Sequence, residues 1–159
     1  HSKVKSKSYI KTIPPQKIVR FKMGAIKDYE QNKFKIIIKM LAGEDVLIRD
    51  NALESSRQYV HKILEENALG NYFFAVKVFP HHILRENKML TGAGADRMQT
   101  GMTNSFGATM GRAAVLKKGR EIFLIALNTE KARKIAFHAL EGIKAKLPCH
   151  VRIAMEIRK

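Results

Sequence analysis

Alternating apolar and polar positions predict a series of β-strands along the chain. Residues 34–41 place apolar side chains at every second position and lysines at two positions between them, so one face is apolar and the other largely basic. Residues 72–79 are apolar almost throughout, which is typical of a strand in the sheet interior. β-Branched content predicts further strands at 17–23, 46–49, 113–116 and 121–127. A final strand, 151–157, alternates most clearly, with one face formed by Val151, Ile153, Met155 and Ile157.

Two segments show the periodicity of amphipathic helices. The first begins at Asp50, a good helix-capping residue, and runs to about Asn67, with an apolar stripe of Leu53, Tyr59, Val60, Ile63 and Leu64. The second begins after Thr129 and runs to about Lys146, with an inward stripe of Ala132, Ile135, Ala136, Ala139, Leu140 and Ile143. Strands and helices together predict an α+β fold, a two-layer sandwich of a mixed β-sheet with two helices.

A long glycine-rich segment interrupts this pattern at residues 86–112. Half of the ten glycines of the chain fall here, at positions 92, 94, 101, 107 and 111. Glycine spacing of this kind suits neither a helix nor a paired strand. Methionines and other apolar residues recur along the segment, which a solvated tether would rarely carry. We therefore expect a loop extension that packs against another surface.

The charge balance points to an acidic partner. Thirty lysines and arginines against 14 acidic residues give a formal net charge of +16, and an anionic partner relieves the self-repulsion that such a charge causes. RNA, DNA and an anionic membrane all fit that charge. The longest uninterrupted apolar run, residues 122–127, is too short to span a bilayer. Neither helix is clearly of the basic amphipathic type that lies on membranes.

The length of 159 residues favours a single domain, 1–159, that buries a real core. Its first part, residues 1–15, is a basic arm without acidic residues that carries Lys3, Lys5, Lys7 and Lys11. Two interpretations of the arm remain open, a solvated tail and an arm that lies on phosphates. The start of the chain lacks the apolar core of a secretory signal. A single cysteine, Cys149, excludes an internal disulfide and fits a reducing compartment.

No motif predicts catalysis, a cofactor or a metal site. The glycines at 92 and 94 resemble part of a dinucleotide-binding fingerprint, but Arg97 stands where a third small residue belongs, and no βαβ unit surrounds them. His81 and His82 are adjacent, so in a strand they point to opposite faces and cannot readily bind one ion. The lone cysteine has no neighbouring base that would activate it. The carboxylates of the loop lie among basic residues, where ion pairing is the expected role.

The stretch 79–102, FPHHILRENKMLTGAGADRMQTGM, closely resembles the signature of a universal large-subunit ribosomal protein family. Bacterial members of that family are called L-sixteen, and archaeal and eukaryotic members are called L-ten-e. The resemblance continues through residues 48–54 (IRDNALE) and 111–114 (GRAA) and covers nearly the whole chain. It points to the archaeal or eukaryotic branch.

This resemblance implies a structural, non-catalytic protein of the large subunit in the cytoplasm, without cofactors. Such a protein binds large-subunit ribosomal RNA near the aminoacyl-tRNA site. Its long loop extends toward the peptidyl-transferase region and helps to position tRNA. The resemblance implies a monomer within the ribosome that contacts neighbouring ribosomal proteins. It implies neither DNA nor a membrane as a partner. The loop positions that match the family are Gly92, Gly94, Asp96, Arg97, Gln99 and Gly101.

Basic and histidine side chains are the candidate contacts to ribosomal RNA. They are Lys3, Lys5, Lys7, Lys11, Lys22, Lys77, His81, His82, Arg85, Lys88, Arg112, Lys117, Lys118 and Arg120. We expect the cations to neutralise phosphates while the glycine loop fits the shape of the RNA. A general RNA chaperone or assembly factor outside the mature ribosome is an alternative that explains the charge but not the apolar loop. An RNA-modifying enzyme would need a catalytic or cofactor-binding constellation, which the sequence lacks.

Overall fold

The structure is a computed structural model and describes residues 2–4, 14–68, 71–86 and 108–157. The strands in these ranges are β1 (Ser2–Val4), β2 (Lys22–Gly24), β3 (Ile36–Ala42), β4 (Val46–Arg49), β5 (Tyr72–Val76), β6 (His82–Glu86), β7 (Ala108–Leu116), β8 (Glu121–Leu127) and β9 (Val151–Ile157). The helices are α1 (Ile26–Glu30), α2 (Asp50–Ala68) and α3 (Glu130–Gly142), and α3 is followed by a 3₁₀ turn, Lys144–Lys146.

The strands form two sheets. A four-stranded sheet has the order β1-β6-β7-β4, and a five-stranded sheet has the order β2-β5-β8-β3-β9. Every pairing among them is antiparallel, whereas the sequence predicted one mixed sheet. The difference arises because three short connections, residues 43–45, 77–81 and 117–120, each lead from a strand of one sheet to a strand of the other. Apolar periodicity marks strands but not the sheet to which they belong.

Helices α2 and α3 pack on each other and close one shared core. Helix α2 contacts β4, β5 and β7, and α3 contacts β3 and β8, so the helices bridge both sheets. The predicted α+β class and the two main helices are confirmed. Thr129 caps α3 as predicted, because its hydroxyl oxygen accepts a hydrogen bond from the amide of Ala132 at 3.2 Å.

The opposite face of the five-stranded sheet is partly covered by α1, a helix that the sequence did not predict. Its Tyr29 ring stacks on Phe73 with the ring centroids 4.1 Å apart. Five residues are too few for a readable apolar period, which explains why the helix was missed. The contact leaves this sheet buried on both faces near β5, as its continuous apolar sequence suggested.

Several element boundaries differ from the prediction. Of the strand predicted at 17–23 only β2, Lys22–Gly24, forms, because the amides of Lys17 and Val19 donate to side chains of α2 rather than to a neighbouring strand. The second helix ends at Gly142, short of the predicted end near Lys146, and a 3₁₀ turn follows it.

Strand β6 was not expected, and residues 108–112, which were assigned to the loop extension, form the first half of β7 and pair with β6. Along β9 the apolar alternation does not correspond to burial throughout, because Met155 and Ile157 are 49% and 63% exposed. Strand β9 lies at the edge of its sheet, so only its first half, where Val151 and Ile153 lie, packs against the core.

Carboxylates of α2 hold the extended segment that precedes β2. The backbone amide of Lys17 donates to Asp50 Oδ2 at 3.2 Å, and the amide of Val19 donates to Glu54 Oε2 at 3.3 Å. Arg57 Nε donates to the same Glu54 oxygen at 2.8 Å and completes a buried ion pair. These contacts satisfy backbone amides that belong to no strand.

The ion pair fixes the charge state of Glu54. Burial by itself raises the pKa of the Glu54 carboxyl, but the hydrogen bond and positive charge of Arg57 and the amide of Val19 outweigh it, and the pKa is lowered overall. The hydrogen bonds that Arg57 donates to the Glu54 carboxylate raise the pKa of Arg57. Both groups are therefore charged at neutral pH, and each depends on the other because their side chains are only 9% and 11% exposed.

Glu54→Ala is expected to lower the free energy of unfolding by about 2–3 kcal/mol, because it leaves the Arg57 guanidinium buried without its partner. Urea denaturation measures the change, and Glu66→Ala, at an exposed position of the same helix, is the matched control. Because the pKa of Glu54 lies below its ordinary value of 4.5, the difference from wild type is present above that pH and shrinks as the pH falls. Equal stability of the two variants at pH 7 would contradict this role.

Candidate nucleic-acid interface

Two of the connections between the sheets lie side by side and are joined by hydrogen bonds. The amide of Ala42 donates to the Arg120 carbonyl at 2.9 Å, and the amide of Gly119 donates back to the Ala42 carbonyl at 2.8 Å. The amide of Lys118 donates to Asp45 Oδ1 at 2.8 Å. Gly119 adopts φ +89°, which glycine accepts without strain. The 117–120 turn is thus held in one shape by the neighbouring turn.

A groove of about 570 Å³ lies between this turn and the connection from β5 to β6. Its lining residues are Val78, Phe79, His81, Ala114, Val115, Leu116, Lys117, Lys118, Gly119 and Arg120. No carboxylate is among them, and the three cations are all exposed. A concave surface with cations at one end and apolar walls is suited to an anionic ligand with a flat apolar part.

An aromatic cluster forms a second part of the groove, its aromatic wall, beside the basic 117–120 turn. The Phe79 ring stacks on Phe21 with centroids 5.4 Å apart and lies 4.6 Å from the His81 ring. The guanidinium carbon of Arg112 lies 5.2 Å from the centroid of Phe79, which is within cation–π range. Arg112 Nε also donates to the Pro80 carbonyl at 2.8 Å. These contacts hold the Phe79 ring in place while 39% of the residue remains exposed.

Five of the predicted RNA-binding residues therefore come together at one place. His81 and the cations of the 117–120 turn line the groove, and Arg112 lies behind its aromatic wall. Sequence reasoning missed Phe79 and Val115, which are 39% and 52% exposed. The position of Phe79 at the start of the signature stretch was the available signal, but its role depends on a turn nearly forty residues away in the chain.

Other predicted residues lie elsewhere. Lys22, the first residue of β2, and Lys77, which directly follows β5, are exposed and do not line the groove. His82 is half-buried at the start of β6, and within the described part of the chain its Nδ1 atom has no hydrogen-bond partner. Burial and the charge of His81 lower the pKa of His82, so it is neutral at pH 7 and a weak ligand for phosphate.

The side chains of the remaining predicted contact residues are not among those that the structure describes. Lys3 lies in β1 and Arg85 in β6, and only their backbones are described. The other positions lie outside the described residues; they are Lys5, Lys7, Lys11, Lys88, Gly92, Gly94, Asp96, Arg97, Gln99 and Gly101. Residues 87–107 of the predicted loop extension also lie outside the described residues.

The described residues offer no constellation for other chemistry. Within ranges 14–68, 71–86 and 108–157, no group of three or more histidine, cysteine or acidic residues is placed to hold a metal ion. Burial and the nearby Glu44 raise the pKa of the Cys149 thiol, which keeps it protonated and unreactive. None of the described helices is both long and apolar enough to cross a membrane.

Comparisons with known proteins agree with the resemblance found in the sequence. Residues 1–154 match the family model described as Ribosomal protein L16p/L10e. The chain is similar to the large ribosomal subunit protein uL16 of Methanococcus maripaludis, with 43% identity over 150 residues that cover 94% of this chain and 84% of that protein. It is also similar to uL16 of Thermofilum pendens, with 41% identity over 149 residues that cover 93% of this chain and 86% of that protein. Both relatives are archaeal, which agrees with the predicted archaeal or eukaryotic branch.

Asp45→Ala is expected to loosen the groove without unfolding the protein. The Lys118 amide loses its acceptor, so its hydrogen exchange should accelerate, and the free energy of unfolding should fall by about 0.5–1 kcal/mol because the site is exposed. Asp45→Asn keeps an acceptor oxygen and serves as the matched control. Unchanged exchange of the Lys118 amide in Asp45→Ala would show that the side chain does not hold the turn.

Proposed function

Because the chain belongs to the ribosomal protein L16p/L10e family, we propose that its basic groove binds ribosomal RNA of the large subunit. The chain itself is a structural protein of the large ribosomal subunit, works on the ribosome in the cytoplasm and is not an enzyme. We further propose that the groove contacts RNA near the aminoacyl-tRNA site. Neighbouring ribosomal proteins and the tRNA are the further partners that we propose for a monomer within the ribosome.

The observation that carries the proposal is the groove of Lys117, Lys118 and Arg120 without an acidic lining residue. Three exposed cations on one rigid turn concentrate positive potential where phosphates approach. Each phosphate that they neutralise releases condensed counterions, which supplies binding free energy that depends on salt. The turn is fixed before RNA arrives, so little conformational entropy is lost on binding.

The loop extension is the second part of the proposal. We infer that residues 87–107 form the loop extension, since they join the end of β6 to the start of β7, where Glu86 pairs with Ala108. A loop closed at its base by paired strands can reach into a partner without disturbing the core. Its proposed target is the peptidyl-transferase region, where Gly92, Gly94, Asp96, Arg97, Gln99 and Gly101 would help to position the aminoacyl-site tRNA.

The triple variant Lys117→Ala/Lys118→Ala/Arg120→Ala is expected to bind a large-subunit ribosomal RNA fragment at least tenfold more weakly at low salt. The slope of log affinity against log salt should become shallower by about 2–3, since each lost phosphate contact removes 0.7–0.9. Filter binding over a salt series measures both quantities.

The control for this variant is Lys62→Ala/Lys131→Ala/Lys134→Ala, which removes the same charge from exposed positions of α2 and α3. If both triple variants weaken binding equally, net charge alone is responsible and the groove is not the interface. Equal affinity of the wild type for all RNAs of one length would favour the chaperone alternative.

Replacing residues 89–106 with a short glycine–serine linker is expected to leave cooperative thermal unfolding unchanged, because the replaced residues lie beyond the paired ends of β6 and β7. Large subunits reconstituted with this variant should bind aminoacyl-site tRNA several-fold more weakly. Binding of tRNA to the peptidyl site of the same ribosomes is the internal control. Loss of cooperative unfolding would contradict the placement of the loop, and unchanged aminoacyl-site binding would contradict its function.

A further inference from the structure

The aromatic wall of the groove is not explained by phosphate binding. Lysine and arginine side chains suffice for a phosphate backbone, yet the groove presents Phe79 and His81 beside its cations. Val115 adds an apolar side chain, 52% exposed, to the same surface. An exposed aromatic residue that is held on several sides is well suited to recognising a second flat group.

The Phe79 ring is preorganised for stacking. Phe21 fixes it by a near-parallel contact, with an angle of 24° between the ring planes. Arg112 fixes it from another direction and is itself held by the Pro80 carbonyl. The backbone behind it is held as well, because the amide of Val76 donates to the Phe21 carbonyl at 2.8 Å. A ligand ring therefore meets a surface that does not have to be ordered first.

The size and charge of the groove select the ligand. Its volume of about 570 Å³ falls within the range of about 300–1,000 Å³ that accommodates small organic groups. In a double helix the faces of the bases are stacked and hidden, so a duplex offers this groove phosphate, ribose and base edges but no free base face for stacking. An unpaired nucleotide offers both a flat base and a phosphate, the two kinds of group that the aromatic and the basic lining residues of this groove can bind.

We propose that the groove captures one unpaired nucleotide of the RNA. Its base stacks against the Phe79–His81 pair, and its flanking phosphates lie on Lys117, Lys118 and Arg120. This inference rests on the proposed function, since it names the feature of RNA that the same groove selects. Because of this stacking, the groove would bind a bulged or looped nucleotide more tightly than a duplex, whereas phosphate contacts alone would not distinguish them.

The test compares two RNA hairpins whose stems are closed by a non-nucleotide linker, so that no loop nucleotide is unpaired. One stem is fully paired, and the other differs from it only by a single bulged 2-aminopurine. The wild-type chain is expected to bind the bulged hairpin about tenfold more tightly, and stacking should quench the 2-aminopurine fluorescence. Phe79→Leu should abolish that preference and the quenching while it retains salt-dependent binding of the paired hairpin. Phe137→Leu, at a 40% exposed position of α3, is the matched control.

The outcomes separate the inference from the function on which it rests. Equal binding of the two hairpins by the wild type, or an unchanged preference in Phe79→Leu, overturns the nucleotide site and leaves phosphate binding standing. Absence of salt-dependent binding to either hairpin overturns the proposed RNA-binding function itself. If thermal melting shows that Phe79→Leu is unfolded, His81→Ala takes its place, since His81 is exposed and its loss spares the Phe79–Phe21 contact.

Discussion

The structure depends on three short connections, residues 43–45, 77–81 and 117–120, that carry the chain between its two antiparallel sheets. Each connection is a short turn with few hydrogen-bonding partners of its own, and a turn at a sheet corner is open to solvent. The hydrogen bonds between Ala42 and the 119–120 backbone, with the Asp45 carboxylate on the Lys118 amide, make two of these corners support each other. The groove exists because these corners are fixed: its basic wall is one corner, and its aromatic wall is the third connection, which leads from β5 to β6.

A chain of contacts links the buried polar stripe of α2 to the groove. Asp50 and Glu54 accept backbone amides of the segment that precedes β2, and Arg57 keeps Glu54 charged. That segment leads directly into Phe21, whose ring supports Phe79. Buried ion pairs often add little net stability compared with apolar packing. Here the pair also determines where an otherwise unpaired stretch of backbone lies, and the aromatic wall depends on that position.

The sequence predicted what local periodicity controls and missed what depends on distant contacts. The starts of α2 at Asp50 and of α3 after Thr129 were predicted from capping residues, and β8 from its apolar run. The division into two sheets was not predictable, because strands of either sheet carry the same alternation. The groove was predicted only in part: its cations stand out in the sequence, whereas Phe79 gains its role from a turn that is remote in the chain. The loop positions remain predictions.

The distribution of ion pairs separates the charges that serve the fold from those that serve a partner. Among the residues that the structure describes, Arg57 and Lys39 have carboxylate partners, whereas no ion pair involves Lys117, Lys118 or Arg120. Folding therefore gains nothing from the positive charge of the groove, and close cations repel each other. A polyanion that binds there would relieve this repulsion, as the proposed RNA ligand would. The net charge of +16 destabilises the isolated chain by self-repulsion, and an anionic ligand that binds only the folded state stabilises it.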